Sequence, residues 1–120
     1  MKRALLALHD EPFRRSVQFS LEGAYTYQVC PDQATLLAAC TPPPNTIIMD
    51  LNFIQGGQDI RPAREVYQRV KESVQSGKTK FYGLSARPEV VQRARQEGIP
   101  AFEKVGFATH LDELVSDTTS

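Results

Sequence analysis

Apolar positions along the chain fall into two alternating periods. Short continuous runs of aliphatic and β-branched residues recur between stretches in which apolar residues lie three or four positions apart, the pattern of βα units on a parallel sheet. The first run, Ala4 to Leu8, stops at the polar cluster His9-Asp10-Glu11-Pro12. Its continuity is that of a strand buried on both faces. Phe13, Val17, Leu21 and Ala24 then predict a helix, with Gly23 near its end. Tyr25 to Cys30 predicts a second, shorter strand. Pro31-Asp32 opens a short helix carrying Ala34, Leu37 and Ala38, which ends at Thr41-Pro42-Pro43-Pro44.

Thr46-Ile47-Ile48-Met49-Asp50 is the most strongly β-patterned run and predicts the central strand; it ends in a carboxylate, followed by Leu51-Asn52 and the glycine-containing loop Gln55-Gly56-Gly57-Gln58. Ala63, Val66, Tyr67, Val70 and Val74 predict an amphipathic helix opened near Pro62 and closed before Gly77. Lys80 to Leu84 predicts a fourth strand ending at Ser85-Ala86. Pro88 opens a helix with Val90, Val91 and Ala94 on one face and Gly98 after it. Ala101-Phe102-Glu103 predicts a short fifth strand ending at Lys104. From Thr109, Leu111, Leu114 and Val115 predict a short terminal helix, with His110 on its surface and a polar tail over Ser116 to Ser120. No internal repeat or linker divides residues 1–120, so the pattern is that of a single domain.

Composition narrows the function classes. A chain of 120 residues buries roughly two-thirds of its unfolded surface, enough for a core without disulfides or structural metals. The 14 Lys plus Arg match 14 Asp plus Glu, and this balance lacks the positive field that neutralises phosphates, which argues against nucleic-acid binding. The apolar runs are too short to span a bilayer, and Lys2-Arg3 with His9-Asp10 leave too little apolar sequence for a signal peptide, so no membrane association and a cytoplasmic location are expected. Cys30 and Cys40 fit no zinc spacing, and each follows an apolar stretch; buried reduced thiols are expected.

In an open parallel sheet, ligands bind outside the carboxyl ends of the strands. Here the first strand ends in His9-Asp10-Glu11, the third in Asp50, the fourth in Ser85 and the fifth in Lys104. A right-handed doubly wound order 2-1-3-4-5 would bring these carboxylates, hydroxyl and ammonium together.

In this order of motifs the sequence resembles the receiver domain of two-component response regulators, over nearly the whole chain. Leu8-His9-Asp10-Glu11-Pro12 resembles the acidic turn after the first strand, and Met49-Asp50-Leu51-Asn52 the phosphoacceptor segment. Leu84-Ser85-Ala86 matches the hydroxyl position and Glu103-Lys104 the lysine. The resemblance implies a flavodoxin-like α/β fold, a five-stranded parallel sheet in the order 2-1-3-4-5 with helices on both faces. It implies a phosphoacceptor in a two-component or phosphorelay system, with Asp50 taking a phosphoryl group from a histidine kinase or phosphotransfer protein and a conformational change passing to an effector protein or fused output domain. Such a domain is a signalling module and not an enzyme in the ordinary sense. Mg²⁺ would be held by Asp10, Asp50 and the backbone carbonyl of Asn52. Lys104 and Ser85 would contact the phosphoryl group, and Phe102 lies close to the family's aromatic switch position.

The departures fall on the same site. His9 stands where most receivers have an acid, removing one negative charge from the metal pocket. Phe53-Ile54 replaces Met-Pro, Gly56-Gly57 replaces an Asp-Gly turn, Val105-Gly106 replaces the proline after the lysine, and the Ser85 to Lys104 interval is short. His9 is open to three readings: a transition-metal ligand, a residue tuning phosphoryl lifetime, or a histidine hydrogen-bonded to a neighbouring carboxylate. Asp10 also fits a helix N-cap, Ser85 an ordinary helix-start residue, Lys104 a solvated surface lysine and Phe102 a core position. The competing function is a pseudo-receiver, a phosphorylation-independent interaction scaffold on the same fold. A phosphohydrolase is disfavoured, because Asn52 stands where a second acid is needed.

Overall fold

The structure, a computed structural model, describes residues 2–52 and 59–119 of the chain, with side chains to Ser116. The loop features read at Phe53-Ile54 and Gly56-Gly57 lie outside the described residues. Strands β1 (Lys2–Ala7), β2 (Tyr25–Val29), β3 (Thr46–Asp50), β4 (Lys80–Ser85) and β5 (Ala101–Glu103) alternate with helices α1 (Glu11–Leu21), α2 (Gln33–Ala39), α3 (Arg61–Gln75), α4 (Pro88–Gln96) and α5 (Phe107–Thr119). All strand pairs are parallel, in the order β2-β1-β3-β4-β5. This is the doubly wound order expected from the sequence.

Strand alternation divides the core between two faces. Leu5, Ala7, Ile47, Met49 and Phe81 pack with Leu36 of α2, Val66 and Val70 of α3, and Val90 and Ala94 of α4. Ala4, Leu6, Leu8, Ile48 and Leu84 pack on the opposite face, with Val17 and Leu21 of α1 and Phe107, Leu111 and Leu114 of α5. Every residue of β3 is buried, as a central strand covered on both faces must be. Cys30 and Cys40 are buried and free, as expected. Burial pushes the Cys30 thiol up to about 11.

The helix ends follow local chemistry. Asp10 and Asp32 each cap a helix by accepting a backbone N–H, from Phe13 at 3.3 Å and Thr35 at 2.7 Å. Gly106, at φ 87°, supplies the left-handed residue from which α5 departs, two residues earlier than the apolar spacing predicts. The segment read as a polar tail continues α5 as far as Thr119. Gly83 is required by close approach: a Cβ there would lie 2.5 Å from Leu51 Cδ2 and 3.2 Å from the Pro100 carbonyl oxygen. Among the described residues, no helix is long and apolar enough to cross a membrane.

Candidate functional site

The chain winds both ways from the β1–β3 pair, so the carboxyl ends of these neighbours flank the topological switch point where doubly wound folds bind ligands. Asp50 ends β3, and His9 and Asp10 follow β1. A cavity of about 370 Å³ opens there. It is lined by His9, Asp10, Asp50, Asn52, Ser85 and Lys104, every residue proposed from the sequence for phosphoacceptance, metal binding or the modulating His position. Leu84, Ala86 and Arg87 are the other lining residues among those described.

Asp50 is the most constrained group in the cavity. Its residue is 6% exposed, and an ionised carboxylate so buried needs partners. One is the backbone N–H of His9, which donates to Oδ2 at 2.7 Å across the β1–β3 seam. The other is Lys104, whose Nζ lies 3.1 Å from Oδ1. That second contact is a charge contact without hydrogen-bond alignment, and Oδ1 is left as a buried acceptor with no donor directed at it. The β3–β4 ladder continues past the strand end through Leu51 N–H donating to the Leu84 carbonyl at 2.8 Å, which fixes the backbone beside Asp50. Lys104 is held from three sides: its backbone N–H donates to the Ser85 carbonyl at 3.0 Å, its ammonium faces Asp50, and its Nζ lies 5.3 Å from the centre of the Phe13 ring.

Ser85 is 5% exposed, and its Oγ accepts the Arg87 backbone N–H at 3.0 Å. The serine therefore both shapes the turn into α4 and faces the cavity. Asp10 is exposed, and one of its oxygens serves as the α1 cap while the residue also lines the cavity. Asn52 lines the cavity with its side chain turned to the next loop, Nδ2 donating to the Asp59 carbonyl at 3.2 Å. It is the His9 main chain that reaches Asp50.

Phe102 is not part of the cavity lining among the described residues. It is half-buried, 4.6 Å from the His110 ring and 5.4 Å from Tyr82, with the Arg95 guanidinium 5.9 Å from its centre. His110, expected at the surface, instead packs among Phe102, Phe107 and Tyr82. The sequence singled out neither Phe13 nor Arg87 for the site. The only signal for them was position: Phe13 is three residues beyond Asp10, and Arg87 two beyond Ser85.

The donor set suits a hard divalent cation. Asp50 Oδ1, which has the Lys104 charge contact but no hydrogen bond, the Asp10 carboxylate and the Asn52 segment offer oxygen atoms and no soft ligand. Among the described residues no group of three or more His, Cys, Asp or Glu side chains is gathered for a metal, so a backbone carbonyl and solvent must complete any such shell.

No protein-family model and no curated protein sequence matches the chain. Solved structures do. A de novo designed Rossmann 2x3 protein aligns with a TM-score of 0.69 at 16% identity over 100% of this chain and 94% of its own. The signal receiver domain of NarL from Mycobacterium tuberculosis, assigned as a response regulator, aligns with a TM-score of 0.63 at 22% identity over 97% of this chain and 94% of its own. The N-terminal domain of a response regulator receiver protein from Methanoculleus marisnigri aligns with a TM-score of 0.55 at 20% identity over 98% and 95%. Identities of 22% or less establish the architecture: this chain has the flavodoxin-like fold of receiver domains, which the designed protein also approaches.

Proposed function

We propose that the chain is a phosphoacceptor receiver module, in which Asp50 accepts a phosphoryl group from a histidine kinase or phosphotransfer protein. The observation that carries this reading is the buried Asp50 carboxylate, with one oxygen 3.1 Å from Lys104 and a cavity in front of it that also exposes Ser85 and Asp10. A carboxylate held this way is a nucleophile with its charge partner in place. In the transfer, a bond forms between a carboxylate oxygen and phosphorus, the bond from phosphorus to the donor nitrogen breaks, and that nitrogen leaves with the electron pair. Positioning and charge stabilisation are the protein's contribution. Lys104 neutralises charge on the phosphoryl oxygens, and the Ser85 hydroxyl donates to one of them. Mg²⁺ held by Asp10, Asp50 and the Asn52 carbonyl would supply further charge neutralisation when bound.

The consequence is a shift between two surface states, read by an effector or an output domain. Ser85 leads into α4 through Arg87, so a phosphoryl group that draws the serine inward also moves the start of that helix. Intact mass after incubation with phosphoramidate and Mg²⁺ tests the reading. A gain of one phosphoryl group, absent in Asp50→Asn, supports it; an unmodified wild type overturns it. The scaffold reading draws on one observation, the use of a carboxylate oxygen of Asp10 as a helix cap, which leaves the metal pocket with a partly committed acid. An unmodified but folded chain would favour that reading.

A further inference from the structure

We propose that Arg87 is a second cationic arm of the Asp50 cavity, and that with Lys104 it lets the cavity hold a phosphate-class dianion without a divalent cation. The inference deepens the phosphoacceptor reading and rests on it. Among the described residues, the charged residues lining the cavity are Asp10, Asp50, Arg87 and Lys104, whose formal charges cancel when His9 is neutral. A site with an additional acid in place of His9 and no arginine is net negative and needs a bound metal to admit an anion. This cavity meets an entering dianion with no net repulsion.

The guanidinium is available for that role. Among the described residues the Arg87 side chain has no hydrogen bond or ion pair, and the residue is tied down only through its main chain, as in the N–H donated to Ser85 Oγ. Other arginines are committed: Arg61 to Asp59, Arg64 to Glu97 and Arg95 to the Ala101 carbonyl. Because Ser85 Oγ accepts from Arg87, its own proton remains to be donated into the cavity. Three residues around one opening therefore carry donors of different reach: a buried hydroxyl on Ser85, an ammonium on Lys104 set in place by Asp50, and on the exposed Arg87 a planar guanidinium fork able to match two phosphate oxygens.

The test uses inorganic phosphate as the probe, in EDTA, with amide shifts of the isotope-labelled chain as the readout. The wild-type chain is titrated first, and Asp50→Asn, which removes the carboxylate that competes for Lys104, is the second background. Saturable shifts at Ser85, Ala86 and Arg87 are expected without metal, and adding Arg87→Ala should weaken phosphate about tenfold, the worth of one charge-assisted hydrogen bond. Arg87 is exposed, and the same spectra report whether each variant is folded. Phosphate binding that appears only after Mg²⁺ is added, or that changes less than threefold in Arg87→Ala, overturns the proposal. Phosphate binding requires no acyl phosphate, so this outcome is separate from the mass measurement that decides whether Asp50 is phosphorylated.

Discussion

Replacing Lys104 with Met removes the ammonium that lies 3.1 Å from Asp50 Oδ1 while keeping most of the side-chain length. At that separation the gross attraction is about 5 kcal/mol for an effective dielectric near 20. Desolvation offsets part of it, mainly on the carboxylate, because the Asp50 side chain is 8% exposed and that of Lys104 is 22% exposed. After the substitution, Asp50 keeps one hydrogen bond, from the His9 N–H at 2.7 Å, and Oδ1 faces no charge. Leaving a buried charge uncompensated costs about 3–5 kcal/mol, and access of water from the cavity lowers the expected loss to about 2–3 kcal/mol. Adding Asp50→Asn removes the orphaned charge and should restore at least about 1.5 kcal/mol, so the two substitutions are strongly non-additive. Urea unfolding of the four proteins, with unchanged m-values, measures both quantities. A loss below about 0.5 kcal/mol in Lys104→Met, or additive energies in the cycle, refutes a formed and consequential ion pair.

Three further outcomes follow from other parts of the structure. Gly83→Ala places a Cβ 2.5 Å from Leu51 Cδ2, which should cost about 1–3 kcal/mol of stability; an unchanged Tm contradicts the close approach. The Cys30 thiol, pushed up to about 11 by burial, and Cys40, raised by burial as well, carry little thiolate at pH 8. Native protein should therefore resist iodoacetamide while unfolded chain takes up two groups by mass, and rapid native labelling would sink this expectation. His9→Asp should tighten Mg²⁺ about 10- to 100-fold in a calorimetric titration if the position 9 side chain supports the ion, and equal affinity in both proteins rules that placement out.

The fold was largely legible because period and punctuation agreed. The all-apolar Ile47-Ile48-Met49 run announces a strand covered on both faces, and Pro62, Pro88 and Gly98 mark helix boundaries that the structure reproduces closely. The site was legible because doubly wound topology assigns ligand binding to strand ends, and those ends carried acids, a hydroxyl and an ammonium. Where the sequence misled, the cause was tertiary. Nothing in the spacing of His110 distinguishes an exposed helix position from one facing a ring already placed by β5, so its packing on Phe102 at 4.6 Å was invisible. Arg95 is an exposed helix residue whose Nε also donates to the Ala101 carbonyl at 2.9 Å, a contact that helical spacing does not announce. Arg87 is exposed and also lines the cavity, at a turn where Ser85 Oγ accepts its N–H, which no spacing in the sequence marks. Asp10 carried both of its readings into the structure, as helix cap and as cavity lining.

Chemical localisation of the phosphoryl group tests the central claim most directly. Borohydride converts an aspartyl phosphate to homoserine, so treatment of the phosphoramidate-modified chain followed by peptide mass analysis reads out the acceptor position. Homoserine at position 50, in the peptide containing Ile48-Met49, is the predicted result. Homoserine at another carboxylate, or a folded chain that yields none, contradicts the assignment of Asp50 as the phosphoacceptor.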